Sequence, residues 1–188
     1  MIITFCNGKG GAGKTTLSIL FASALVDAGR KVAFLDRDPQ QTASRWLRET
    51  LPLGISPFQP GISTDALIID TPPRLECPLL HQSLREANKV ILVSSPSPAD
   101  LWTSQDTARV IREHYRREKA ALLFNQVQRC TLLARELEPL ATRIGLPALK
   151  HQVTRRQSYQ HVMLLGWRAL DAPAREEILK TSLEIISF

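Results

Sequence analysis

The chain is poor in cysteine, and this limits what it can be. Of its 188 residues three are cysteines, Cys6, Cys77 and Cys130. An odd number at such wide spacing excludes a disulfide framework and offers no recognisable zinc site. A reducing cytoplasm is the compartment such a chain suits. Long apolar runs are lacking too, and nothing approaches the length of a membrane span. The N-terminus, Met1–Cys6, has no basic stretch ahead of its apolar residues, which excludes a signal peptide and leaves a strand. There is no linker, low-complexity tract or internal repeat, so one domain over residues 1–188 is the economical organisation. A hydrophobic fraction of 44% beside a charged fraction of 22% excludes a disordered chain.

Charge is present but unevenly placed. Residues 1–108 hold 10 Lys/Arg against 10 Asp/Glu, and residues 109–188 hold 14 against 8, so the whole net charge of +6 lies in the last 80 residues. A localised basic surface suits a polyanionic partner. A well-solvated surface accounts for the same numbers.

Short apolar runs alternate with longer amphipathic ones. Strands are expected at Ile2–Cys6, Lys31–Asp36, Ala66–Asp70, Lys89–Ser94 and Ala120–Asn125. Helices are expected at Thr15–Gly29, Gln41–Thr50, Pro78–Ala87, Ala99–Arg117 and Leu132–Ile144, then near Arg155–Leu165 and Ala172–Ile186. Pro52, Pro57 and Pro60 make residues 51–62 a loop or an edge strand. The strands are nearly continuous in Val, Ile, Leu and Phe, as strands covered on both faces are. Such alternation predicts an α/β, three-layer fold with a mostly parallel central sheet flanked by helices.

The strongest signal is Gly8-Lys9-Gly10-Gly11-Ala12-Gly13-Lys14-Thr15, which fits G-x-x-x-x-G-K-[ST] between a strand and a helix. The glycines let backbone N–H groups approach phosphate oxygens, and the following helix adds its positive end. Lys14 is placed to neutralise phosphate charge and the Thr15 hydroxyl to ligate Mg²⁺. A second lysine, Lys9, is not needed by an ordinary phosphate loop. With it, Lys-Gly-Gly-x-Gly-Lys-Thr resembles the deviant Walker A motif of the ParA/MinD family of ATPases.

Two further motifs carry the same resemblance. Asp36-Arg37-Asp38-Pro39-Gln40 resembles the family's D-x-D-P-Q switch I, and Ala66–Asp70 followed by Thr71-Pro72-Pro73 resembles its Walker B strand with D-T-P-P switch II. The resemblance implies ATP and Mg²⁺ as cofactors. It makes Lys9, Lys14 and Asp38 the catalytic set, with Lys9 acting across a dimer and Asp38 positioning water. Thr15, Asp36 and Asp70 become the metal set. The nucleotide-binding set is Gly8, Lys9, Gly10, Gly11, Ala12, Gly13, Lys14, Thr15, Thr16 and, against the adenine, Asn125. Read alone, Asp36 and Asp38 are also a strand exit and a turn, and Asn125 a turn-former at a strand end. Trp102 is either an interface anchor or a core or half-exposed aromatic. Gly8 stands where the family often has Gln, and Arg37 between the aspartates is unusual.

The basic C-terminal half fits nonspecific DNA, with Arg129, Arg135, Arg143, Lys150, Arg155 and Arg156 as the candidates. Arg155 and Arg156 also read as helix-terminal charge or as neighbours of the nucleotide base. The last helix is acidic, which disfavours a membrane surface. By resemblance the chain is a small ParA-type partition ATPase without an N-terminal helix-turn-helix. It would be cytoplasmic and nucleoid-associated, an ATP-dependent homodimer on DNA whose hydrolysis a ParB-like adaptor stimulates. Positioning of another cargo, a MinD-like membrane-surface role and a metabolic ligase or synthetase on the same scaffold are the alternatives.

Overall fold

A computed structural model describes residues 1–50, 54–115 and 119–188. Six strands form one parallel sheet: β1 (Ile2–Cys6), β2 (Val32–Asp36), β3 (Ile55–Pro57), β4 (Ala66–Asp70), β5 (Lys89–Ser94) and β6 (Ala120–Phe124). Their order is β3-β2-β4-β1-β5-β6. Helix α1 (Lys14–Asp27) joins β1 to β2, and α2 (Thr42–Thr50) follows β2. Helix α3 (Pro78–Glu86) joins β4 to β5, and α4 (Pro98–His114) follows β5. After β6 come α5 (Leu132–Arg135), α6 (Leu137–Ile144), α7 (Gln157–Leu165) and α8 (Ala172–Ser187).

Alternation along the strands divides the core in two. Ile91, Val93, Ala121 and Leu123 face one layer, with residues of α1, α2, α7 and α8. Val90, Leu92, Ala120 and Leu122 face the other, with α3, α4 and α6. Helix α1 is apolar nearly all round and is correspondingly buried, packed on the sheet and against α7 and α8. Gly29 ends that turn with φ +77, the left-handed conformation in which glycine carries no Cβ penalty.

One open alternative is decided and two expectations change. Residues 55–57 are an edge strand, β3, paired with Val32–Phe34 of β2; Pro57 costs nothing there because no further strand needs its N–H. The single helix expected over Leu132–Ile144 is two, parted at Glu136. Pro139 explains the break, since its ring collides with the carbonyl four residues back and it has no N–H to give. Arg155 and Arg156 precede α7 instead of opening it; Arg156 is extended at φ −131, ψ 136. Pro52 and the expected helix end at Arg117 lie outside the described residues.

The segment after Pro147 runs along the open edge of β6 without becoming a regular strand. Leu149 N–H donates to Leu122 O at 2.8 Å and Val153 N–H to Phe124 O at 2.9 Å. Between those contacts the backbone turns to α8, where Glu184 accepts from Lys150 N at 2.6 Å and His151 N at 2.8 Å. One turn pair earlier, Glu177 accepts from Thr154 N at 2.8 Å and Tyr159 Oη at 2.7 Å. The acids of the last helix thus fasten to α8 a strip whose backbone is bonded to the sheet.

Candidate nucleotide site

Chain leaving β1 goes to one face of the sheet and chain leaving β4 to the other, so a crevice opens at the carboxyl ends of adjacent strands, where α/β sheets bind ligands. The Gly8–Thr15 loop lies there, immediately after β1. Its glycines have the needed geometry. A Cβ on Gly10 or Gly11 would meet nothing within 4 Å, so the inner side of the loop is open. Gly13 is the opposite case: at φ +88, its Cβ would lie 2.2 Å from Asn125 Nδ2.

The loop is held from behind by side chains that sequence reasoning missed. Asn7, fully buried, donates to Val93 O at 2.6 Å and to Ser104 Oγ at 3.2 Å. Gly8 N–H donates to Thr107 Oγ1 at 3.0 Å. Lys9 Nζ is ion-paired with Asp100 Oδ1. Asp100, Ser104 and Thr107 are spaced i, i+4, i+7, so they share one face of α4. The available signal was three small polar residues at helical spacing on the buried side of an otherwise amphipathic stretch. The Asp100 carboxylate also accepts from Ser95 Oγ, and its backbone N–H donates to Oγ of the helix cap Ser97. Burial raises its carboxyl, but Lys9 and Ser95 more than offset this and hold it below the usual range.

Lys14 is buried and folds back so that Nζ donates to Lys9 O at 2.9 Å. Burial pushes its ammonium below the ordinary lysine value, against the pull of Asp70 first among its neighbours. Thr15 Oγ1 donates to Asp70 Oδ2 at 2.6 Å, and Thr16 sits half-buried in the same helical turn. The other oxygen, Asp70 Oδ1, is buried with no hydrogen-bond partner among the described residues. Burial pushes the Asp70 carboxyl up to about 7, opposed by Thr15 and Lys14 and assisted by Asp36 and Asp38. An orphaned carboxylate oxygen beside a threonine hydroxyl and an inward ammonium fits a magnesium-bound triphosphate. Among the described residues there is no cluster of three or more His, Cys, Asp or Glu that would hold a metal without it.

Several expected residues have other duties. Asp36 uses Oδ1 to accept from Asp38 N at 3.0 Å and Oδ2 to accept from Ser44 N at 2.8 Å. It therefore shapes the turn after β2 and takes up an N–H in the first turn of α2, and it lies level with Asp70 at the ends of neighbouring strands. Asp38 accepts from Gln40 N at 3.0 Å, which leaves it in the tight turn next to the loop. Asn125 is buried, and Nδ2 donates to Ala12 O at 2.9 Å. Gln126, absent from the expected set, donates to Gly11 O at 3.1 Å from a left-handed backbone at φ +57. These two amides brace the loop on the side away from α4.

Of the six basic candidates, Arg129, Lys150 and Arg156 lie around one cleft. Arg129 and Arg156 converge on Glu177, at 3.4 and 3.6 Å, and the Arg156 side chain is only 25% exposed. With Lys150, His151 and Lys180 they line a cleft of about 380 Å³ beside α8. Arg135 and Arg143 are exposed in the last turns of α5 and α6, on the α4 side of the sheet. Arg135, Arg143, Lys150 and Arg155 are exposed and have no ion pair among the described residues. Trp102 stands 64% exposed, so it is not a core aromatic. Cys6 is buried, with its thiol pushed up to about 12, and Cys77 and Cys130 are separate, reduced thiols. No helix among the described residues is long and apolar enough to cross a membrane.

The sequence profile of the CobQ/CobB/MinD/ParA nucleotide-binding domain matches residues 3–163. The chain is 29% identical over 191 aligned positions to maintenance of carboxysome distribution protein A of Halothiobacillus neapolitanus, covering 92% of this chain and 88% of that one. An ATP complex of Cyanothece McdA superposes with a TM-score of 0.76 at 12% identity, over 100% of this chain and 96% of the other. pNOB8 ParA bound to nonspecific DNA superposes with a TM-score of 0.65 at 15% identity, over 99% and 97%. The superpositions speak for the fold, and the profile, which spans most of the chain and the whole phosphate loop, speaks for kinship: this protein belongs to the CobQ/CobB/MinD/ParA nucleotide-binding family, as an ATPase of the ParA/MinD type.

Proposed function

We propose that the chain is a magnesium-dependent ATP switch that distributes a cargo over DNA, as an ATP-bound homodimer. The observation that carries the switch is Lys9. It stands at the rim of the phosphate loop, 40% exposed, and its partner Asp100 belongs to its own chain. A lysine held only by one acid at the surface can exchange that partner for phosphate oxygens of a second subunit's nucleotide. Bound Mg²⁺ would supply charge neutralisation between the β- and γ-phosphates. Lys14 would leave Lys9 O for phosphate, and Thr15 and Asp70 would turn from each other toward the metal and its water. Asp38 would orient the attacking water. Release of the γ-phosphate removes what favours the dimer, so nucleotide state sets the population of the two forms.

DNA is the proposed track. The resemblance to a ParA bound to nonspecific DNA and the exposed Arg135, Arg143, Lys150 and Arg155 support it. Pairing two such surfaces in a dimer joins two weak phosphate-binding patches into one. The cargo is either a DNA molecule carried by a ParB-like adaptor or, as the relative's name suggests, a protein body held by an adaptor of its own. On this reading the protein spends its ATP-bound life on the nucleoid.

The test is binding to a random-sequence duplex with ATP and with ADP over a salt series. ATP-dependent binding that weakens with salt supports the proposal. Arg155→Ala is expected to weaken it and to lower the salt slope by about one. Equal and negligible binding in both nucleotide states would overturn the DNA track.

A further inference from the structure

Arg37 stands between the two aspartates of switch I, and phosphate chemistry has no use for it. In an extended segment neighbouring side chains face opposite ways, so with Asp36 turned to α2 the arginine is sent across to α3. There Nη1 donates to Ser83 Oγ at 2.9 Å and Nη2 to Glu86 Oε2 at 2.7 Å. Its side chain is 11% exposed. The post it grips is fixed. Ser83 is fully buried, its hydroxyl donates to Leu79 O at 2.7 Å, and its carbonyl accepts from Thr4 Oγ1 of β1 at 3.2 Å. The Arg37 N–H, in addition, donates to Asp70 O at 2.9 Å.

Helix α3 is where switch II ends. His81 in that helix faces Leu75 O through Nε2 at 2.8 Å, and Leu75 lies over Gly8, filling the place a side chain there would take. A continuous set of contacts therefore runs from the Asp38 turn through Arg37 to α3, and from α3 through His81 and Leu75 to the phosphate loop. Gly8 and Arg37, two of the departures from the family pattern, both lie on it.

We propose that Arg37 is a positioning residue for ATP hydrolysis: by gripping Ser83 and Glu86 it ties switch I to the helix that anchors switch II, so that the two loops facing the γ-phosphate move as one body. The inference rests on the ATPase reading. A forked, largely buried guanidinium that spans a buried hydroxyl and a more exposed carboxylate on one helix is the group suited to such a tie. Displacement of a water-orienting group by about 1 Å costs as much as ~100-fold in rate, so a tether remote from phosphate can govern turnover.

The experiment compares wild type with Arg37→Met, Arg37→Lys, Glu86→Gln and the exchange Arg37→Glu/Glu86→Arg. Ser83 can donate to a carboxylate at position 37 as it accepts from the guanidinium. Amide exchange over residues 36–44 and 71–80 is followed without nucleotide, and affinity for a fluorescent ATP analogue, KM and kcat are measured with magnesium. Arg37→Met is expected to bind the analogue within about threefold of wild type, to lose about tenfold in kcat with KM little changed, and to exchange faster in both segments. Arg37→Lys should fall between, and the exchanged pair should recover both rate and protection. Wild-type kcat and exchange in Arg37→Met, loss of affinity in place of kcat, or a folded exchanged pair that recovers nothing would overturn the proposal. If Arg37→Met does not fold, Glu86→Gln reads the same tie from the α3 side. A wild type that binds ATP and does not hydrolyse it would sink the ATPase reading, while the exchange data would still decide whether the two loops are joined.

Discussion

Asp70 concentrates the electrostatic cost of the site. Its carboxyl is pushed up to about 7 by burial, so the folded, nucleotide-free chain holds a proton that the unfolded chain releases near pH 4. Between those values the native state binds more protons, and stability falls as pH rises. Asp70→Asn keeps an acceptor for the Thr15 hydroxyl and removes the charge. In metal-free protein its stability advantage over wild type should grow between pH 4 and pH 7, reaching about 1–3 kcal/mol, and then level off. Denaturant titrations at three pH values would measure it; a constant difference would show that Asp70 ionises freely. Gly13 is intolerant for a separate reason. Gly13→Ala places a methyl group on the Asn125 amide at a φ of +88, and should abolish ATP binding. Nucleotide fluorescence would show this. Lys9→Ala, by contrast, is expected to bind ATP within about threefold and to remain monomeric in light scattering, since its contact lies outside its own phosphate seat.

At the scale of elements, the last helix was readable as a packed, acidic helix, but not what its acids do. Glu177 and Glu184 are a strip of fastenings for residues 150–159, and no residue in that strip advertises its partner along the chain. Glu177→Ala should therefore unseat Arg129, Arg156 and Tyr159 together and cost about 3 kcal/mol, or roughly 6–12 °C in melting temperature. Arg155→Ala should cost no more than about 0.5 kcal/mol, because its side chain is exposed. Calorimetry on both would separate the arginine that builds the fold from the one proposed for DNA. The phosphate loop was legible because its chemistry is local: eight consecutive residues hold both the turn and the ligands. The supports on α4 were not, because Asp100, Ser104 and Thr107 gain meaning only when β1, eight elements back in the chain, is laid beside them. Pro139 was visible as a helix breaker but was passed over under a strong apolar period.

At the scale of the molecule, strand and helix alternation predicted the layers and the parallel sheet, since strands that are apolar throughout can be buried on both faces only in that way. The order of strands was not accessible, and with it went the crevice at β1 and β4 where the phosphate loop meets the segment that follows Asp70. The basic half of the chain shows how far composition carries an argument. The charge excess is real, yet two of its six expected arginines and lysines, the exposed Arg129 and the largely covered Arg156, are paired with Glu177 of the same chain.

The position of Trp102 gives the protein an optical consequence. Trp46 is buried and Trp167 half-buried, so of the three tryptophans Trp102 alone stands well into solvent, two residues beyond the acid that holds Lys9. Its emission should be red-shifted and readily quenched by iodide in the free chain. If ATP draws Lys9 away and brings a second subunit over the loop, that emission should move to the blue and the quenching should fade, with the other two indoles as a steady background. The chain would then report its own nucleotide state in a cuvette, without a label.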